Sequence, residues 1–305
     1  MRSATSVLHS RRRRRRRVLV AVLALAGVGA AAAVTLGLPD HAPAPRTAAP
    51  PPPRLARYPR RAAAPRVAGL SLPSPLPHRS LAVPILMYHR VGPIWAGEPA
   101  ISAALTVRPA DFAGQMRWLR RADFHAITQL QLFDALEHGA RLPPNPVLIT
   151  FDDGYRDVLW NASPVLERLG MPATAYVITG RVSGRDPSFL TWPELRLLQR
   201  RGFDIGSHTV HHVELTHVTP AQAFSELTAS RRALERHLRR PVQWLSYPAG
   251  AVDAAVLPLV RRAGYVLAVT TRPGDVQSGA DPLELRRDEI LDTTGVRGLA
   301  ALLGR

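Results

Sequence analysis

The chain contains no cysteine and no lysine. Without cysteine there can be no disulfide, no thiolate-held zinc and no thiol nucleophile, so any metal must be held by His, Asp or Glu. Without lysine, all 40 basic residues are arginine. Together with 29 prolines and an alanine-rich background, this reflects a GC-rich coding bias and not a functional signal. Acidic residues are scarce at one end only. Residues 1–83 hold 15 arginines and a single acid, Asp40, for a net charge of +14. Residues 84–305 hold 25 arginines and 22 acids, for a net of +3. The overall excess of +17 would suit a nucleic-acid partner if it lay on the folded part. It lies on the N-terminus, which argues against nucleic acid. No obligate protein partner is readable.

The N-terminal charge has another use. Arg11–Arg17 is an unbroken run of seven arginines, followed by Val18–Leu38, 21 residues without a charge. At ~1.5 Å rise per residue such a stretch crosses a ~30 Å hydrocarbon core. Flanking arginines stay cytoplasmic. Residues 1–17 therefore read as a basic cytoplasmic tail, 18–38 as a single-pass transmembrane anchor, and the rest as extracytoplasmic. The alternative is a cleaved signal segment, with small residues around Gly29–Ala33 as the cleavage site and a secreted product. Residues 39–82 carry proline throughout, no acid after Asp40 and no hydrophobic period. They read as a semi-rigid Pro/Ala/Arg-rich linker.

Residues 83–305 alternate between strand-like and helix-like segments. Val83–Tyr88, Pro146–Phe151, Ala173–Ile178, Phe203–Gly206, Val242–Tyr247 and Tyr265–Thr270 are short apolar runs of strand type. Between them lie helical patterns with recognisable ends. Thr191-Trp-Pro-Glu194 is a capping box and Gly202 closes that helix; Thr219-Pro220-Ala-Gln222 opens another; Gly170 and Gly264 stop two more. Repeated βα units predict an α/β fold with a mostly parallel sheet, whose chemistry sits at the C-terminal ends of its strands.

Four motifs fall at such ends. Thr150-Phe-Asp-Asp-Gly-Tyr155 delivers two adjacent carboxylates, Asp152 and Asp153. Neighbours on an extended chain face opposite ways, so one can bind a metal while the other faces substrate; the same tripeptide also opens many helices. Ser207-His-Thr-Val-His-His212 places His208 and His212 four apart, so one helical turn would put both imidazoles on one face. Taken alone this is equally a surface histidine cluster. Two histidines with an Asp from another strand end form a divalent-metal set with an open position. Leu245-Ser-Tyr-Pro-Ala-Gly250 is a turn whose backbone N–H groups can face an oxyanion, or an ordinary turn. Met87-Tyr-His-Arg-Val-Gly92 ends the first strand with His89, a buried structural histidine unless the sheet closes around it.

Together these motifs resemble the polysaccharide deacetylases of carbohydrate esterase family 4, the NodB-homology domain, over residues 83–305. The opening Pro84-Ile-Leu-Met-Tyr-His-Arg-Val-Gly92 resembles the branch that contains exported poly-N-acetylglucosamine deacetylases. The resemblance implies a distorted (β/α) barrel of about seven parallel strands. It implies Asp152 as catalytic base, Asp153, His208 and His212 as the ligands of one divalent metal, zinc first, with Co2+, Ni2+ or Mn2+ as alternatives. Pro248 and Ala249 fall on the turn whose N–H helps to hold the oxyanion, and Tyr155 falls at the substrate side of the first motif.

Two departures mark this chain. The third motif of the family reads R-x-P-Y, and here Ser246 and Ala249 replace its Arg and Tyr. Arg287 is the candidate that supplies the cation towards Asp152. The late histidine that serves as general acid is missing, since no histidine follows His237; in the related permuted branch it lies on the first strand, which points to His89. The implied reaction is hydrolysis of N-acetyl groups on an extracellular or cell-wall polysaccharide, with Asp152 shaping the acidic limb of the pH–rate profile. The alternatives are an O-acetyl esterase acting on a polymer such as xylan, and a catalytically impaired, membrane-anchored sugar-binding domain.

The N-terminal reading predicts that the protein fractionates with membranes and is degraded by protease added to intact, wall-stripped cells. Recovery of a soluble form that begins near residues 30–42 would show cleavage instead.

Overall fold

The computed structural model describes residues 79–305. The basic tail, the Val18–Leu38 segment and nearly all of the linker lie outside the described residues. Among the described residues no helix is long and apolar enough to cross a membrane.

Seven parallel strands form the frame: β1 (Ile85–Tyr88), β2 (Pro146–Phe151), β3 (Ala173–Val177), β4 (Phe203–Ser207), β5 (Trp244–Ser246), β6 (Leu267–Val269) and β7 (Asp288–Glu289). Their order is β6-β5-β4-β3-β2-β1-β7. Five of the first six fall within an expected apolar run, and β4 runs one residue past its own, to Ser207. Strands covered on both faces by core need no polar alternation, and β1 and β3 are buried at every residue. The alternation instead sorts two apolar faces. Val147, Ile149 and Phe151 of β2 join the layer between sheet and helices, with Ala173, Ala175 and Val177 of β3. Leu148 of β2 and Tyr176 of β3 face the other way, with Ile85, Trp244, Leu267 and Val269.

The sheet is a parallel half-barrel whose remaining gap is spanned by one segment. Leu285 pairs with Val269 of β6, and three residues later β7 pairs with Leu86 and Met87 of β1. Leu285–Glu289 therefore touches both ends of the strand order and brings Arg287 into the interior. This seam is invisible to hydropathy, because Leu285-Arg-Arg-Asp-Glu289 carries no apolar run and β7 is two residues long.

Helices pack on the outer face. The capping box at Thr191 forms as expected and opens Trp192–Arg200; Thr219 opens Pro220–Leu238 as expected and does so with a capping box of its own, and a third at Thr128 opens Gln129–His138. Gly170 ends Ser163–Leu169 in the left-handed conformation. Ser80–Ala82, in the stretch read as linker, pairs antiparallel with Val276–Ser278 as a separate two-stranded sheet.

One close approach depends on a missing side chain. A Cβ at Gly206 would lie 2.5 Å from Tyr176 Cδ1 and 3.0 Å from the Trp244 carbonyl oxygen. Gly206→Ala should therefore cost about 1–3 kcal/mol through overpacking, read as a lower midpoint in urea. Unchanged stability would show that the interior yields to an extra methyl.

Candidate active site

The expected residues gather at the C-terminal mouth of the strands, and two of them are still tied to the ladder. The Asp152 N–H, just past β2, donates to the Tyr88 carbonyl at 2.9 Å. The His208 N–H, just past β4, donates to the Val177 carbonyl at 2.9 Å. The ends of β2 and β4, on either side of β3, thus bring residues 56 positions apart in sequence to one mouth.

Asp152 is 2% exposed and Arg287 is fully buried. The guanidinium grips the carboxylate with two bonds, Nη1 to Oδ1 at 2.8 Å and Nη2 to Oδ2 at 2.7 Å. Nε donates to the Thr270 carbonyl at 2.9 Å, Nη1 also donates to Thr150 Oγ1 at 3.2 Å, and Nη2 to Ser246 Oγ at 2.9 Å. All five donors of the arginine are satisfied. The Ser246 hydroxyl in turn donates to Asp152 Oδ2 at 3.1 Å. Ser246, which stands where an arginine is expected, is thus a member of the clamp, and Arg287 reaches the same carboxylate from the barrel seam. Burial pushes the Asp152 pKa up, but the charges of Arg287 and His208 and the bonds from Arg287 outweigh it and hold the carboxyl well below the usual range. The clamp therefore favours the ionised form of Asp152.

Asp153 points elsewhere. Its Oδ1 lies 3.4 Å from His208 Nε2 and 3.6 Å from His212 Nε2. A tetrahedral ion with ligands at ~2.0–2.1 Å places neighbouring donor atoms ~3.4 Å apart, so the three side chains fit a divalent cation. His208 Nδ1 is bonded to the Ser246 carbonyl at 2.8 Å. A carbonyl can only accept, so Nδ1 carries the hydrogen; the neutral ring then keeps an Nε2 lone pair free for a cation, while the protonated ring donates from Nε2 to Asp153. Burial pushes the His208 pKa down, yet the bond to Asp153 and the two carboxylate charges raise it overall. Burial and the charge on His208 lower the pKa of His212.

The histidine spacing works by a different geometry from the expected helical turn. Residues 208–214 are not helical; Thr209 and His212 adopt φ of 62° and 59°. The Thr209 hydroxyl accepts the His212 N–H at 3.0 Å. Thr209 is a buried residue that sequence reasoning passed over, although it lies inside the His-Thr-Val-His-His motif. His211 is exposed and pairs with Glu226 instead of the triad.

His89 follows β1 and borders both carboxylates closely enough for its charge to lower their pKa values. Its Nδ1 is buried and makes no hydrogen bond among the described residues. Tyr155 is half-buried, stacked on Phe189 at 4.9 Å, with the Arg90 guanidinium 5.0 Å from its ring centroid. Burial and the charge of Asp153 push its hydroxyl up to about 12. Pro248 is buried and Ala249 is exposed in a left-handed conformation, φ 54°. The Gly250 and Ala251 N–H groups bond within the turn, and Pro248 has none, which leaves the Ala249 N–H as the candidate oxyanion donor.

A profile of the polysaccharide deacetylase family matches residues 139–268. Bacillus subtilis YxkH, which carries the polysaccharide deacetylase name, is 30% identical over 218 residues, 72% of this chain and 74% of that protein. The chain belongs to the polysaccharide deacetylase family. The poly-β-1,6-N-acetyl-D-glucosamine N-deacetylase of Staphylococcus aureus is 26% identical over 171 residues, covering 52% of this chain and 59% of that protein. Among solved structures, the Streptococcus pyogenes deacetylase PplD in complex with acetate aligns with a TM-score of 0.69 at 27% identity, over 74% of this chain and 99% of that one. A polysaccharide deacetylase from Bacillus cereus aligns at 0.64 and 29%, over 73% and 69%. The interval matched by the family profile contains Asp152, Asp153, His208, His212 and Ala249 but neither His89 nor Arg287.

The clamp makes a prediction with two opposite signs. In the native protein the Asp152 pKa is depressed, so its contribution to stability is full above the unfolded value of ~3.9 and is lost only as pH falls through the folded value. Arg287→Gln orphans a buried carboxylate, which burial alone pushes above that value. The variant should lose about 3–5 kcal/mol at neutral pH and recover part of it on acidification, as the carboxyl neutralises. A loss independent of pH, measured by denaturant unfolding between pH 4 and 8, would overturn the account.

Proposed function

We propose that this polysaccharide deacetylase is a metal-dependent hydrolase. It removes N-acetyl groups from an extracytoplasmic polysaccharide containing N-acetylglucosamine and releases acetate. One observation carries the reading: a cation triad, Asp153/His208/His212, beside a separate carboxylate, Asp152, pinned in its ionised form. The staphylococcal relative acts on poly-N-acetylglucosamine by its name, and the streptococcal deacetylase is bound to acetate, the product expected here. The first supports the substrate class and the second the product. Membrane anchorage through residues 18–38, or secretion after cleavage, belongs to the same proposal.

The triad would hold one divalent cation, zinc first, since two neutral imidazoles and a carboxylate suit it. Such an ion supplies Lewis acidity and makes water a better nucleophile near neutral pH. Asp152, ionised and 2% exposed, accepts the proton of the water that attacks the acetamide carbonyl. The Ala249 N–H donates to the oxygen on which charge develops. His89 gives a proton to the leaving nitrogen as the C–N bond breaks, so the products are acetate and a free amine. Tyr155, braced by Phe189 and Arg90, offers an aromatic wall in place of the one lost at Ala249. The participation of Ser246 in a complete clamp supports an active site over an impaired one.

The test is acetate release by the full chain, with and without chelator, from N-acetylglucosamine oligomers, O-acetyl xylan and an aryl acetate. Release from the oligomers, lost on chelation and restored by zinc, is expected. Release from xylan alone would make the protein an O-acetyl esterase, and no release from any of the three would make it an impaired domain. His89→Ala should retain the metal, lose about 10²–10⁴ in kcat on the amide and lose much less on the aryl ester, whose leaving group needs no proton. A normal amide rate would show His89 to be structural.

A further inference from the structure

The loop that carries both metal-ligating histidines adopts a conformation its own residues resist. Thr209 is β-branched and sits at φ 62°, where such side chains are rare; His212 sits at φ 59°. Something outside the loop must hold it. Its backbone bonds identify what does. The Thr209 N–H donates to Ser207 Oγ at 3.2 Å and the His212 N–H to Thr209 Oγ1 at 3.0 Å; both are local. The Thr209 and Val210 carbonyls accept from the Thr179 and Gly180 N–H groups at 3.1 and 2.9 Å. A Cβ at Gly180 would lie 2.6 Å from that Val210 oxygen, so the approach requires glycine. The two remaining N–H groups, of Val210 and His211, both donate to Glu226 Oε2 at 2.9 Å. The other oxygen of Glu226 pairs with His211 Nδ1 at 2.6 Å.

Glu226 belongs to the long helix Pro220–Leu238 and touches none of the three ligand side chains. Its side chain is 13% exposed while that of His211 is 69% exposed. We propose that Glu226 is the positioning residue of the metal loop: it fixes the left-handed turn and so sets cation affinity. Through it, His211 has a use as the exposed strap that keeps the carboxylate aimed at the backbone. The inference rests on the metal reading of Asp153, His208 and His212, and adds a residue from a separate element. Groups of this kind, which orient ligands without touching the ion, typically change metal affinity by about 10–100-fold when removed.

The experiment is zinc binding to the full-length protein and its variants, by calorimetry or competition with a chromophoric chelator, alongside thermal unfolding of the metal-free forms. Glu226→Ala should weaken zinc binding about 10–100-fold, and Glu226→Gln, which keeps an oxygen for the backbone N–H groups, should restore much of it. His211→Ala should cost less than Glu226→Ala, because the two backbone bonds survive. A folded Glu226→Ala protein with native zinc affinity would overturn the proposal. So would a fall in unfolding temperature of the metal-free variant with the zinc affinity of the folded fraction unchanged, since that is a purely structural role. Should Glu226→Ala fail to fold, native affinity in Glu226→Asp, whose carboxylate is set back from the two N–H groups by one methylene, would overturn it equally. If the native protein binds no zinc, the metal reading itself fails, and the two failures are told apart.

Discussion

A buried charge pair organises this molecule. Taking Asp152 and Arg287 out of water is costly, and an interior ion pair repays that cost only with good geometry and satisfied remaining donors. Here the geometry is bidentate and every guanidinium hydrogen has an acceptor. Such pairs add little net stability compared with apolar packing, so stability alone does not account for this one. What it does is join two events. Arg287 lies on the segment that spans β6 and β1, and its partner is the first carboxylate of the Asp152–Asp153 pair. Completing the sheet and fixing the charge state of the carboxylate are therefore one structural step.

The second constraint is backbone strain. Seven non-glycine residues among those described have positive φ, and four of them, Asp153, Thr209, His212 and Ala249, lie in the site. Each such conformation costs of order 1–3 kcal/mol and survives only where surroundings over-determine it. Asp153 illustrates the use made of it. Two residues past the end of β2, its φ of 70° turns the second carboxylate away from the clamp and towards the histidines. Two adjacent acids thereby receive different partners, Arg287 for one and His208 for the other, without competing for either.

Much of this was legible in the sequence. Six apolar runs marked six strands, because a parallel strand buried on both faces needs a continuous run. Asp152, Asp153, His208 and His212 could be picked out because strand ends are where a (β/α) sheet keeps its chemistry. The seam was not legible, since Asp288–Glu289 is short and polar and gains its place from Arg287 inside rather than from its own hydropathy. The loop at 208–212 departs from the helical turn that its spacing suggests for a related reason. Spacing of four fits a helix, but the partners that fix this loop lie on the Thr179–Gly180 turn and the helix beyond, at sequence distances no local pattern reports.

Ser246 and Arg287 also explain one another. The interior around Asp152 is closed: Ser246, Thr150 and Arg287 are all fully buried, and the serine hydroxyl is within 3.1 Å of both carboxylate and guanidinium. An arginine at 246 would bring a second guanidinium against the first, with one carboxylate between them and no solvent to screen the repulsion. A serine there is small enough to admit the arginine from the seam and polar enough to use one of its donors. The loss of a basic residue at 246 and the presence of one at 287 are thus a single physical choice about the direction from which one carboxylate is held.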